Sequence, residues 1–184
     1  MNCAEIPAIL GENPSGTACR RVAERFTDCR CEQESVSPDF SPGAVNDDEV
    51  LVRFVPEKDL DRDTNEVKPS LFDKATKNGM SVTRIESISE LSNKIKRDAN
   101  FCGFVTGRCR DIRSKFHDGK RMFSVYDTAI PTNVSHADVC GNLIVGPKGS
   151  ESIKMRRTLQ EIFTRVMSKF DSSENAANTE PTLG

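Results

Sequence analysis

The chain has 184 residues, a formal net charge of −2, 36% hydrophobic and 29% charged residues. That length suits one domain of ordinary size with tails, and the near-neutral charge excludes a global basic field for nucleic acid. No apolar run approaches the roughly 18 residues of a membrane span, and Met1 to Gly11 carries neither the basic nor the apolar segment of a secretory signal.

Residues 1–45 read as an N-terminal appendage, partly disordered. Thr17 can cap a short helix over Ala18 to Thr27, with Val22 and Phe26 on one face. Ser35 to Gly43 is a turn-rich linker. Cys3, Cys19, Cys29 and Cys31 all fall here. Only Cys29 and Cys31 are close, as a C-x-C pair rather than the wider pairs of zinc sites, so no metal is expected. The total of seven cysteines is high and odd. Without an export signal the expected compartment is the cytoplasm, where disulfides are rare. Cys102, Cys109 and Cys140 sit in apolar contexts and read as small buried hydrophobes.

Residues 46–170 read as an α+β domain. Val50 to Val55 is the clearest strand, ended by Pro56, and its apolar run points to burial on both faces. Arg53 interrupts that run, so its guanidinium must find acceptors: a structural carboxylate, or a ligand phosphate or carboxylate. Lys58 to Val67 alternates acidic residues like a calcium loop. It has Thr64 and Ser70 where that motif needs Gly and Glu, and it reads as a solvated turn. Pro69 to Asp73 opens a helical turn. Asn78-Gly79 is a tight turn before a strand over Met80 to Ile85.

Ser87 to Glu90 forms a capping box, and Ile88, Leu91 and Ile95 predict a helix to about Ala99. A strand over 101–105 precedes a short helix over 107–116, with Ile112 and Phe116 facing inward. Arg108, Arg110 and Arg113 mark the one basic cluster and the only route for a nucleic-acid contact. Asp111 and Asp118 partly neutralise it, and the aromatic interleaving of single-strand binders is missing.

The stretch Met122 to Val145 holds the only tyrosine and one of two histidines. Strands are expected over 121–126 and 139–145, joined by a loop that contains Pro131 and Asn133. His136, between Ser135 and Ala137-Asp138, reads as a base, a ligand or a polar pin for that loop. Ser150 can cap a long helix to residue 170, with Ile153, Leu159, Ile162, Phe163, Val166, Met167 and Phe170 as its apolar stripe. Residues 171–184 are small and polar and read as a disordered tail. The fold is expected to be a small mixed or mainly antiparallel sheet packed against two main helices.

Four pieces stand in order: Leu51 to Pro56; Gly79-Met80-Ser81-Val82-Thr83-Arg84; Ile112-Arg113; and Asp127 followed by Pro131, Asn133 and His136 to Val139. This pattern resembles a family of small bacterial proteins with an arginine strand, a Ser-Val-x-Arg strand and an Asn-x-x-His-Ala motif. The resemblance covers about residues 48–145. It implies an ordering of ligand-binding candidates (Arg53, Ser81, Arg84, Arg113, Asn133 and His136) and no chemistry.

The order Arg53, Ser81, His136 is also similar to the layout of ADP-ribosyltransferases. That layout implies an arginine on the pyrophosphate of NAD, a serine at the nicotinamide ribose and a last residue on a ribose hydroxyl. The chain departs from it in having His136 where a Glu is usual, and Ser-Val-Thr in place of Ser-Thr-Ser. No G-x-S-x-G elbow, P-loop, dinucleotide fingerprint or H-E-x-x-H motif is present. The expectation is a non-enzymatic binding or accessory module without a cofactor. It would take a partner protein or small anionic ligand at a cleft around Arg53 and His136. The alternative is an NAD-dependent transferase-like enzyme.

Overall fold

The computed structural model describes residues 3–11, 17–26, 31–34, 41–85, 100–143, 149–164 and 167–168. Among these the fold is α+β. Ten strands occur: β1 (Val50–Pro56), β2 (Leu60–Asp61), β3 (Glu66–Val67), β4 (Met80–Ile85), β5 (Phe101–Arg108), β6 (Phe116–His117), β7 (Lys120–Arg121), β8 (Phe123–Asp127), β9 (His136–Gly141) and β10 (Met167–Ser168). The helices are α1 (Ile6–Gly11), α2 (Ala18–Arg25), α3 (Cys31–Glu34), α4 (Cys109–Arg113) and α5 (Ser150–Ile162).

Six strands form one antiparallel sheet in the order β10-β5-β1-β4-β9-β8. β1 is therefore internal, with both backbone edges paired, and its buried side chains divide between the main core (Leu51, Val55) and a smaller cluster of Val52 with Phe104 on the other face. The turns follow local chemistry. Gly79 has φ +98° at the entry to β4, a conformation that costs glycine little. Asp118 and Gly119 both take positive φ between β6 and β7, the signature of a tight hairpin. The acidic segment after β1 becomes the β2–β3 hairpin, with Asn65 at φ 55°.

One face of the sheet carries the main core. Leu51, Val55, Met80, Val82, Val105, Val125 and Val139 pack there against Leu71 and Phe72 of the 3-10 helix Pro69–Thr76, and against Met155, Leu159 and Phe163 of the α5 region. Gly107 and Gly141 sit under α5. A Cβ on Gly141 would come within 2.9 Å of the Met155 sulfur and 3.1 Å of the Ala75 carbonyl oxygen. Gly141→Ala should therefore lower thermal stability by pushing α5 off the sheet, at a cost of about 1–3 kcal/mol from overpacking. A melting temperature equal to the parent's would refute that fit.

On the other face, the β8–β9 end is covered by the described part of the segment read as an appendage. Ile6, Ile9, Leu10, Cys19, Val22 and Phe26 are buried in one cluster with Tyr126 and Cys140. The helices are too short to give a strong periodic signal, and the sheet supplies the burial that orders them. Glu32 of α3, 3% exposed, anchors the layer. Its carboxylate meets Arg113 Nε at 2.7 Å and pairs with Arg121, and it accepts a hydrogen bond from the Val125 backbone N–H at 2.9 Å. Glu32→Ala leaves two arginines without this partner and should cost about 2–3 kcal/mol in chemical denaturation. An unchanged denaturation midpoint would show that the layer does not depend on this anchor.

Several expected elements move. The basic helix is shorter, Cys109–Arg113, and Phe116 is 61% exposed on the β6–β7 hairpin rather than facing inward. α5 ends at Ile162, and Met167–Ser168 instead pair with Phe104 and Gly103 of β5. On the stripe, Leu159 and Phe163 are buried but Ile153 is 44% exposed. The last strand begins at His136 and ends at Gly141. The helix expected over 88–99, residues 144 and 145 of the last strand, Val166 and Phe170 of the stripe and the tail 171–184 lie outside the described residues.

Candidate functional site

The sheet order makes β1, β4 and β9 neighbours, but the register sends Arg53 to the main-core face, beside Leu51, Val55 and its partner Val105, and His136 to the opposite face with Asp138 and Cys140. Ser81 pairs with Asp138, and Thr83 with His136. Arg53, paired to Val105 on β5, sends Nη1 to the Ser81 carbonyl oxygen at 2.9 Å. Its Nε is buried with no hydrogen-bond partner among the described residues. Burial pulls the Arg53 guanidinium below its ordinary range, against the opposing charges of Asp59 and Asp138. The isolated charge in the apolar strand is thus met by a carbonyl and two nearby carboxyl groups rather than by one direct ion pair.

His136 stands at the entry to β9. Its Nδ1 is 3.0 Å from the Thr128 carbonyl oxygen and 2.8 Å from the Thr128 hydroxyl. A carbonyl only accepts, so this geometry assigns the proton to Nδ1. The hydroxyl then accepts from the ring and donates to Asp138 Oδ2 at 2.8 Å. His136 Nε2 makes no hydrogen bond among the described residues, and the side chain is 19% exposed. Such an imidazole can accept a hydrogen bond when neutral. It can donate one to an anion when protonated.

Asp138 is buried beneath this group and against Gly79, where an added Cβ would meet its Oδ1 at 3.0 Å. Burial pushes its carboxyl above the ordinary carboxylate range, against the opposing influence of His136, Thr128, Ser81 and Arg53. A carboxyl whose folded pKa is raised contributes stability that is fully present below its unfolded pKa, about 3.9, and is lost as pH rises through the folded value. Asp138→Asn should remove that loss. The stability difference between the variant and the parent should shift in favour of the variant as pH rises above about 4. Parallel stability–pH curves for the two proteins would contradict this account.

The remaining candidates are held by the chain itself. Arg84, 9% exposed at the side chain, grips Glu49 with two hydrogen bonds and also reaches Asp127 and the carbonyls of Gly43 and Ala44. Arg113 binds Glu32, Asp47 and the Val125 carbonyl. Asn133 pins the β8–β9 loop: its Oδ1 accepts from the Ser135 N–H at 3.2 Å, and its carbonyl from the His136 N–H at 3.1 Å. Of the basic cluster, Arg108 is exposed and Arg110 pairs with Asp48.

Sequence reasoning missed Thr128 as the partner of the imidazole, since nothing local couples a threonine to a histidine across a loop. Asp138 was visible beside His136, and its burial was not. A cavity of about 400 Å³ lies elsewhere, between the β2–β3 hairpin and the end of α5, and shares no residue with the His136 group. Among the described residues no cluster of three or more His, Cys, Asp or Glu could hold a metal, and no helix is long and apolar enough to cross a membrane.

No family model, curated protein or solved structure matches the chain.

Proposed function

We propose that this chain is a non-enzymatic binding or accessory module of a bacterial system. It takes a small anion, or an acidic group of a partner protein, at the surface around His136; Arg53, expected to share that surface, leaves β1 on the opposite face. The observation that carries this reading is the His136 imidazole. Its Nδ1 proton is committed to Thr128 and its Nε2 has no partner among the described residues, while Arg53, two strands away, leaves the sheet on the opposite face. An anion at Nε2 would find a donor already oriented, once the ring is protonated. Arg84 and Arg113, whose donors are engaged by Glu49, Asp127, Glu32 and Asp47, serve as the frame rather than as ligand contacts. Ser81 and Asn133 set the spacing of the site.

The transferase alternative finds Arg53 on β1, Ser81 on β4 and His136 on β9, three successive strands of the sheet. It still lacks the acidic residue at the last position. A cytoplasmic location would keep Cys3 and Cys31 as thiols. The two are joined here by a disulfide, which favours an oxidising compartment.

Nuclear magnetic resonance of the imidazoles tests the reading. The chain has only two histidines, so a His117→Gln variant assigns the signals of His136. Titration with inorganic phosphate at about pH 5, below the ordinary imidazole range, should move those signals saturably, while His117 in the parent protein does not saturate. A response of His136 no different from that of His117 would overturn the anion reading. Release of nicotinamide from added NAD would instead establish the transferase alternative.

A further inference from the structure

Cys19 on α2 and Cys140 on β9 are separated by 121 positions in sequence, yet their sulfurs lie 3.0 Å apart. Both thiols are buried. They share their apolar cluster with Cys3 and Cys31, which are already bonded to each other. The other described free cysteines, Cys102 and Cys109, belong to the core on the opposite face of the sheet. A disulfide bond measures about 2.05 Å, so the two sulfurs need to approach by only about 1 Å more to bond.

We propose that Cys19 and Cys140 are a dithiol–disulfide site that fastens α2 covalently to β9 when an external disulfide oxidises it. One cysteine, as the thiolate, attacks a sulfur of the external disulfide and displaces one thiolate from it. The second cysteine then attacks the cysteine sulfur of that mixed disulfide and releases the other half. Two electrons pass from the cysteine pair to the external disulfide, and the two protons end on the released thiols. Burial and the neighbouring Cys19 push the Cys140 thiol well above its ordinary range. The closed form is therefore slow to react, and oxidation proceeds through local opening of α2. Once formed, the bond adds a covalent hold to a layer otherwise kept in place by burial, the Cys3–Cys31 bond and the Glu32 ion pairs.

The test uses the full chain, incubated with oxidised glutathione, alkylated and digested without reduction. Mass spectrometry should then show a Cys19 peptide joined to a Cys140 peptide, lighter than the free pair by two hydrogens, beside the Cys3–Cys31 pair. Trypsin cleavage at Arg20, Arg21 or Arg25 in α2 should slow about tenfold or more on oxidation, as expected when a cross-link closes a long loop. Cys140→Ser should abolish that slowing while the Cys3–Cys31 bond persists. Peptide mapping of the parent protein decides the matter even if the variant does not fold. Cys140 recovered fully alkylated while Cys3–Cys31 is closed, or Cys19 or Cys140 joined to Cys29, would overturn the proposal.

Discussion

Replacing Arg84 with Ala is expected to remove about 3–5 kcal/mol of stability, the range for breaking a buried ion pair by deleting one partner. The guanidinium joins three separate parts of the chain. Nε and Nη2 hold the two carboxylate oxygens of Glu49 at 2.6 and 2.7 Å, the fork geometry that makes such pairs strong. Nη1 reaches the Gly43 carbonyl at 2.7 Å and Asp127 at 3.1 Å. Asp127 is fully buried at the end of β8. Without Arg84 its carboxyl loses this counter-charge, and the segment leading into β1 loses its attachment to β4. Set against a typical stability of about 5–15 kcal/mol, the loss should shift a urea midpoint strongly downward. Arg84→Lys keeps the charge but not the fork, so it should fall between the parent and the alanine variant. A loss below about 1 kcal/mol for alanine would place the ion pair among those that contribute little.

The same cluster predicts acid sensitivity. Burial raises the Glu49 carboxyl, but the Arg84 hydrogen bonds, the Asn46 backbone N–H and the Arg84 and Arg113 charges outweigh it and hold Glu49 below the ordinary range. A carboxyl lowered in the folded state contributes stability above its unfolded pKa, about 4.3, and loses it as pH falls through the folded value. The acid limb of the stability curve should therefore flatten in Glu49→Gln.

Phe163→Ala is expected to cost about 3–5 kcal/mol. The ring is 1% exposed, lies 5.7 Å from the Phe72 ring centroid to centroid, and rests over Gly107 of β5. It thus ties the end of α5 both to the 3-10 helix and to the sheet, and truncation leaves a cavity among three elements that cannot close together. The midpoint of denaturation measures the effect. A loss below about 1 kcal/mol with a change in oligomeric state would mark this end of α5 as an interface instead.

Some of this architecture could be read locally. The run Val50 to Pro56 announces an internal strand because nearly every side chain in it prefers burial. Asn78-Gly79 and Asp118-Gly119 announce turns because their backbone angles suit glycine. Arg53 announces a polar neighbourhood because a charge in an apolar strand must be compensated, and the Ser81 carbonyl supplies part of it. Those signals come from nearest neighbours along the chain.

Other features arise only when the strands take their places. His136 faces Thr128 and Asp138 because β8 and β9 pair with Ser124 opposite Cys140 and Asp127 opposite Ala137. The stripe on α5 splits between core and solvent, with Leu159 and Phe163 buried against the sheet and Ile153 exposed, only once the helix is docked. The first 45 residues look like an appendage because helices of four to eight residues carry too few apolar positions to be stable alone. The described helices among them find Tyr126 and Cys140 on the back of the sheet, and Glu32 finds Arg113 and Arg121. By itself the sequence determined strand propensity, turn chemistry and the need to neutralise Arg53. The tertiary structure decided the second apolar layer and the meeting of Cys19 with Cys140, since burial and contact between distant residues depend on strand order and register.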